Sequence, residues 1–330
     1  MPVSIETVDL TRIYRTTSGM LWRRKQKEIL AVDRVNFSID RGELFGLLGP
    51  NGAGKTTTVK ILATLLEPTS GSAFVEGFDV VKQPRRVQER VNMVTGGERM
   101  LYFRLTGREN LRYFSDLYGV PRSIAKKRID EILEMVGLSG RGDDYVEQYS
   151  KGMRQRLQIA RGLVNDPLVL LLDEPTIGLD PHIARDLRAF VREQLIRKQG
   201  KTVLLTTHYM YEAEELCDRV AIIDRGRIVA LDTPEKLKNS VSKEISLKLT
   251  LVGEISSVEP LLKKAEGVTA YAFQQQERGE VTVTILAEDE RSVSSVVSQI
   301  LSFGFAVRRF ETGKPTLEDV FIKLTSRGID

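Results

Sequence analysis

The hydrophobic pattern of the chain changes character twice. Over the first two thirds a strand is predicted at Lys201 to Thr207, and short unbroken apolar runs stand out at Leu44-Phe45-Gly46-Leu47-Leu48 and Val169-Leu170-Leu171-Leu172. Such runs, apolar on both faces, predict buried parallel strands. Between them the spacing turns helical. Thr56 to Leu66 carries Val59, Ile61, Leu62, Leu65 and Leu66. Thr106 to Leu138 reads as helix, with caps at Thr106 and Ser123 and breaks at Gly119-Val120-Pro121 and Gly137. Thr106-Gly107-Arg108-Glu109 has the form of a capping box. A further helix opens at Ser150 and runs to Asn165, and a long amphipathic one follows Gly178-Leu179-Asp180-Pro181 to about Gln199. Met210 to Cys217 is a short helix, and Val220–Asp224 with Arg227–Leu231 form a hairpin. Strands are also predicted at Val3–Leu10, Leu30–Ile39 and Ala73–Gly77. The stretch Thr16–Lys27, with Leu21, Trp22, Arg23, Arg24 and Lys25, is polar and basic and predicts a loop or hairpin insertion.

Past Thr233–Lys243 the pattern becomes period two. Ile245, Leu247, Leu249 and Leu251 alternate strictly, as do Val281, Val283 and Ile285. The order is strand, helix, strand, strand, helix, strand, with a last helix from near Thr316. This βαββαβ order is that of a ferredoxin-like unit, with one sheet face packed and the other wet. Two units follow from this: residues 1–240, an α/β core interrupted by a helical excursion over about 97–165, and residues 241–330, a small α+β domain.

Composition alters this picture little. The chain has 330 residues, 41% hydrophobic and 28% charged, enough for a full core. Its one cysteine, Cys217, excludes an internal disulfide framework and fits a reducing compartment. No apolar run approaches bilayer-spanning length, and the first residues lack a signal pattern. A net charge of +4 demands no polyanionic partner.

Chemistry enters at Gly49-Pro50-Asn51-Gly52-Ala53-Gly54-Lys55-Thr56-Thr57, which fits G-x-x-x-x-G-K-[ST] between a strand and a helix. Glycines let backbone N–H groups turn toward phosphate oxygens, and the helix N-terminus adds partial positive charge. Lys55 is placed to reach the β- and γ-phosphates and Thr56 to hold Mg²⁺. Downstream, an apolar strand ends in Asp173-Glu174 and another ends in His208. In open α/β sheets ligands gather at the carboxyl ends of strands. Asp173 is then a second partner for Mg²⁺, Glu174 the base for an attacking water, and His208 a further contact to the γ-phosphate. Tyr14, upstream, is either an ordinary edge-strand tyrosine or a platform for a base.

In this order the residues resemble the nucleotide-binding subunit of an ATP-binding cassette (ABC) transporter, over roughly Val3 to Ser240. Gly49–Thr57 resembles the Walker A motif and Val169–Glu174 the Walker B motif. Tyr149-Ser150-Lys151-Gly152-Met153 stands where the family has its Leu-Ser-Gly-Gly-Gln signature. Gly178-Leu179-Asp180 resembles the D-loop, and His208 the switch histidine. The resemblance implies that Tyr14 stacks on adenine. It also implies that each ATP site is split: one copy supplies Lys55, Thr56, Asp173, Glu174 and His208, and the other supplies Ser150, Gly152 and Asp180. One departure concerns the Q-loop glutamine, absent from Thr95-Gly96-Gly97-Glu98, where Glu98 or a water is expected to substitute. The tail from Lys314 to Phe321 is similar to the close of ATPases from ABC-2-type exporters of the drug-resistance and sodium-efflux branch. That implies a homodimer or a paralogous pair, docked through residues 97–138 to ABC-2-type permease subunits on the inner face of the cell membrane. The alternatives are a soluble ABC-type ATPase in a non-transport assembly, or a C-terminal unit that binds a regulatory ligand or nucleic acid. The latter unit shows no RNP-like aromatic pattern, so no nucleic acid is expected.

Overall fold

The computed structural model of the chain describes residues 2–18, 25–96, 100–252, 255–276 and 279–325. It opens with a long ribbon, β1 (Val3–Ser18) and β2 (Lys25–Asp40), paired antiparallel from Val3↔Asp40 to Ser18↔Lys25. Of the loop or hairpin insertion expected over Thr16–Lys27, the hairpin form is found: strand pairing continues through Thr16↔Lys27, and Gly19, Leu21, Trp22, Arg23 and Arg24 lie outside the described residues. The approach, Thr11-Arg12-Ile13-Tyr14, is rich in β-branched and aromatic residues. Register shifts between Thr7 and Ile13 hide its alternation.

The elements then follow in chain order. β3 (Leu44–Leu48) leads into α1 (Lys55–Leu62). Next come β4 (Ser70–Val75), β5 (Phe78–Asp79), α2 (Pro84–Gln88) and β6 (Val91–Thr95). The helical excursion holds α3 (Gly107–Leu117), α4 (Arg122–Met135) and α5 (Lys151–Gly162). The capping box of α3 is present with both of its bonds. The expected cap at Ser123 is not, because α4 starts two residues earlier, at Arg122, and Pro121 takes the cap position. β7 (Val169–Asp173) is followed by α6 (Pro181–Phe190), which runs on as wider π-type turns over Val191–Lys198. β8 (Thr202–Thr207), α7 (Met210–Leu216), β9 (Arg219–Asp224), β10 (Arg227–Asp232) and α8 (Pro234–Asn239) complete the larger unit.

The central sheet has the order β10-β9-β3-β8-β7-β6, with only β10 antiparallel to its neighbour. β3, β7 and β8 are buried at every position, including the threonines of β8 and Asp173 at the end of β7. Alternate residues serve opposite faces. Phe45, Leu47, Val169, Leu171 and Leu204 pack with α1 and the antiparallel sheet β2-β1-β4-β5. Leu44, Leu48, Leu170, Leu172, Val203 and Leu205 pack on the other face with Leu157, Ala160, Leu187 and Ala213.

The smaller unit contains β11 (Ile245–Val252), α9 (Ile255–Leu262), β12 (Val268–Gln275), β13 (Glu280–Ala287), α10 (Glu290–Ser302) and β14 (Ala306–Gly313). Its antiparallel sheet has the order β12-β13-β11-β14, the ferredoxin-like arrangement expected. Leu247, Leu249, Leu251, Val283 and Ile285 pack under Val258, Leu262, Val296 and Ile300. The second sheet face is not simply wet, which corrects the alternation argument. α11 (Leu317–Thr325) lies across part of it, with Ile322 buried against Ala270, Ala272 and Leu286. The opposite side of α11 buries Leu317, Val320 and Phe321 in the core of the larger unit, with Met210, Ala213, Leu216, Leu237 and Val241.

Candidate active site

The carboxyl ends of β3, β7 and β8 converge on the loop Gly49–Lys55. Two glycines have no substitute there. A methyl group on Gly49 would lie 2.2 Å from the Ile223 carbonyl oxygen. Gly54 has φ +111°, and a methyl group on it would lie 2.4 Å from the Ala31 oxygen. The loop is also braced from below, since the Gly226 N–H donates to the Ala53 oxygen at 2.9 Å and the Asp33 N–H to the Gly226 oxygen at 2.8 Å. Asn51 and Gly52 are exposed at the tip, and the chain then dives into α1.

Lys55 is 4% exposed. Its Nζ donates to the Gly49 and Pro50 oxygens at 2.7 and 3.1 Å, and stands 3.4 Å from Glu174 Oε1. Burial pulls its pKa down, opposed by Glu174 and Asp173. A poorly hydrated ammonium inside a ring of backbone groups is a ready receptor for a phosphate.

Asp173 ends β7. Its carboxylate accepts from Thr56 Oγ1 at 3.0 and 3.1 Å and from Thr206 Oγ1 at 2.6 Å. Thr56 and Asp173 thus present converging hard oxygens, the donor type Mg²⁺ takes. Among the described residues no group of three or more His, Cys, Asp and Glu gathers.

Glu174 adopts φ +50°, a left-handed conformation rare for a side-chain-bearing residue. Its N–H donates to the Thr206 oxygen and Oγ1, both at 3.1 Å, which holds the turn. Its two carboxylate oxygens face different partners, Lys55 Nζ and, at 3.3 Å from Oε2, His208 Nδ1. His208 is 14% exposed and lies against the Tyr209 ring at 4.0 Å. Tyr14, half-buried on β1, brings its hydroxyl to 3.4 Å from Thr57 Oγ1, while the Arg12 guanidinium covers its ring at 5.0 Å. Lys55, Thr56, Thr57, Asp173, Glu174, His208 and Tyr14 are therefore brought together in one chain.

Ser150, Gly152 and Asp180 stand apart from that cluster. Ser150 is exposed at the N-terminus of α5 and its hydroxyl accepts from the Met153 N–H at 3.3 Å. Gly152 is buried against Ile183, where a methyl group would be 2.8 Å from Cγ2. Lys151 Nζ donates to the Gly178 oxygen, joining the start of α5 to the turn before Asp180. Asp180 is exposed at the cap position of α6 with no side-chain capping bond. Tyr149 is 2% exposed and donates its hydroxyl to the Arg141 oxygen at 2.6 Å. Gly97 and Glu98 lie outside the described residues; the preceding Gly96 N–H donates to the Asp173 oxygen at 2.7 Å.

Sequence reasoning overlooked Thr206, Thr207 and Glu212. The paired threonines end an otherwise apolar strand whose register sets Thr206 opposite Asp173. That pairing was the available signal.

Comparison with known proteins follows the same lines. The sequence model of the family described as ABC transporter matches residues 32–177, and that of the DrrA1-3-like ATP-binding protein C-terminal domain matches residues 233–325. The daunorubicin/doxorubicin resistance ATP-binding protein DrrA of Streptomyces peucetius is 37% identical over 328 residues, 99% of this chain and 94% of that protein. The ABC transporter ATP-binding protein NatA of Bacillus subtilis is 42% identical over 229 residues, 69% of this chain and 92% of its own length. Among solved structures, an ATP-binding subunit of an ABC transporter superposes with a TM-score of 0.58 at 30% identity, over 72% of this chain and 92% of that one. A dimeric ATP-binding cassette in a post-hydrolysis state with ADP and Pi gives a TM-score of 0.59 at 25% identity, over 69% of this chain and 98% of that one.

Proposed function

The chain belongs to the ATP-binding subunits of the ABC transporter family, and from that premise we propose that it hydrolyses ATP to drive export through separate membrane subunits. The observation that carries the mechanism is the divided carboxylate of Glu174, with one oxygen 3.4 Å from Lys55 and the other 3.3 Å from His208. Lys55 and the loop Gly49, Pro50, Asn51, Gly52, Ala53, Gly54 bind the phosphates, with Thr56 and Thr57 at the start of the helix. Tyr14 stacks on the adenine. Glu174 accepts a proton from the attacking water and His208 holds that geometry. Thr56 and Asp173 hold Mg²⁺, which when bound neutralises charge developing on the phosphoryl oxygens.

ATP is sandwiched between two copies, or between this chain and a paralogue. Ser150, Gly152 and Asp180 of the second copy complete the site. The exposure of Ser150 and Asp180, with Gly152 two residues on from Ser150 at the start of α5, supports a role toward a neighbour. The likeness to a dimeric cassette supports it too.

Among the described residues no helix is long and apolar enough to cross a membrane. The work of closure is passed to a partner that spans it. The face for that partner is on the helical excursion, where Met100, Tyr102, Tyr113, Leu117 and Tyr118 are exposed together. Tyr102 and Tyr113 meet edge-on at 5.0 Å, and Phe114 packs beside them. An aromatic surface of this kind suits a helix end from a permease at the cytoplasmic side of the membrane. The resemblance of the tail to drug-resistance exporters favours an ABC-2-type permease. The resistance and transporter names of the relatives give no support to a non-transport assembly role.

The test is Glu174→Gln. ATPase turnover should fall by about two orders of magnitude or more, while ATP converts the protein into a stable dimer seen by light scattering. Parental turnover in this variant would refute the assigned base.

A further inference from the structure

Glu212 lies in the first turn of α7 and is 1% exposed. A carboxylate at that depth must be paired and hydrogen-bonded. Its Oε2 accepts from the Thr176 hydroxyl at 2.9 Å and the Thr207 hydroxyl at 3.0 Å. Its Oε1 faces Arg188 Nη1 at 3.3 Å, and Arg188 is itself only 9% exposed. Arg188 reaches on to Glu215 at 2.9 Å and covers the Tyr211 ring at 5.4 Å.

The partners are placed with a pattern. Thr176 follows Glu174 by two residues. Thr207 immediately precedes His208, and its hydroxyl also accepts the Tyr209 N–H at 2.9 Å. Arg188 is on α6, the helix opened by Asp180. One buried carboxylate therefore bonds to the segments that carry Glu174, His208 and Asp180.

We propose that Glu212 is a positioning residue for ATP hydrolysis, which fixes those segments as one body without touching the nucleotide. The proposal rests on the roles given above to Glu174 and His208. His208 has few direct restraints of its own: its Nδ1 makes no hydrogen bond of good geometry, despite the 3.3 Å approach to Glu174. Its place is set by the backbone on either side, and on one side that backbone is anchored through Thr207. Without Glu212, the Thr176 and Thr207 hydroxyls lose their shared acceptor. Arg188 keeps the Tyr211 ring and, as its ion-pair partner, Glu215, which is 52% exposed. The catalytic groups can then shift relative to one another, and a misplacement of about 1 Å is enough to slow chemistry by about a hundredfold.

Glu212→Gln keeps the volume and one acceptor but removes the charge facing Arg188. Thr176→Val removes one donor with little change of shape. In Glu212→Gln, kcat should fall about tenfold or more, with ATP affinity within twofold of the parent, at a temperature below the lowered melting point that unpairing Arg188 brings. Thr176→Val should show the same split to a smaller degree. Both should be placed in a cycle with His208→Ala. If Glu212 acts through the histidine, the double variant Glu212→Gln/His208→Ala turns over no more slowly than His208→Ala alone. Should Glu212→Gln not fold, Thr176→Val takes its place in the cycle. Parental kcat in the single variants, or losses that simply multiply in the double variant, would overturn the proposal. Full turnover in Glu174→Gln and His208→Ala is a different failure, because it overturns the site assignment and this proposal with it.

Discussion

At the scale of single residues, Tyr149 shows how a departure from a family pattern is absorbed. The signature position that favours leucine holds a tyrosine here, and its ring is buried. The hydroxyl finds the Arg141 oxygen at 2.6 Å, in space left open by Gly107, where a methyl group would lie 2.3 Å from it. Burial pushes the Tyr149 pKa up to about 12. A raised folded-state pKa gives stability that is complete below the unfolded value, near 10, and drains away as pH rises through 12. Tyr149→Phe should cost about 1 kcal/mol at pH 7 from the lost bond. That penalty should shrink by about 1 kcal/mol at pH 11, because the parent alone suffers ionisation of its unfolded chain. Urea unfolding of both proteins at the two pH values measures it, and a penalty independent of pH would contradict the assignment. The residues of the site itself were legible for a plain reason. Lys55 and Thr56 close a glycine-rich loop of fixed spacing, Asp173-Glu174 stands where an apolar run stops, and His208 follows the end of β8. Glu212 sits within a helix among Glu212, Glu214 and Glu215, and only three-dimensional structure separates the buried carboxylate from its exposed neighbours.

At the scale of elements, local signals were reliable where one short range of sequence decides the outcome. The α3 capping box is such a case. Thr106 Oγ1 accepts from the Glu109 N–H at 3.1 Å, and Glu109 Oε2 accepts from the Thr106 N–H at 2.8 Å. Thr106→Ala should lower stability by about 1 kcal/mol, read as a drop in thermal midpoint, with ATP affinity unchanged. The effect belongs to the helical excursion, so its permease-stimulated ATPase should be the activity most affected. The full length of the β1–β2 ribbon was not legible, because register shifts break the alternation of its strands. No window of sequence reports whether a polar strand has found a partner. The ferredoxin-like order was legible because strict alternation in β11 and β13 fixes which residues share a face. That the second face of this sheet also finds a cover was not, since the cover comes from α11, which follows β14 in the chain.

At the scale of the whole molecule, α11 joins what the sequence divides. Its Leu317, Val320 and Phe321 complete the packing of α7 and α8, while Ile322 closes on the smaller sheet. Phe321→Ala should therefore destabilise the larger unit by about 3 to 5 kcal/mol, seen as an earlier urea midpoint for unfolding around the nucleotide site. A chain ending at Lys243 that unfolded at the same urea concentration as the full protein would show that this packing contributes nothing. The change of sequence pattern near residue 240 parts the core under the smaller sheet from the rest, but the core of the larger unit runs past it and takes in Val241, Leu317, Val320 and Phe321. The same packing bears on biosynthesis. A growing polypeptide leaves the ribosome amino end first, so α7 and α8 emerge long before the side chains that cover them. Until residues 317–322 have been made, Met210, Leu216 and Leu237 are open to chaperones or to other nascent chains. A messenger cut short ahead of that point would yield a protein that keeps its phosphate loop but lacks the side chains that cover α7 and α8.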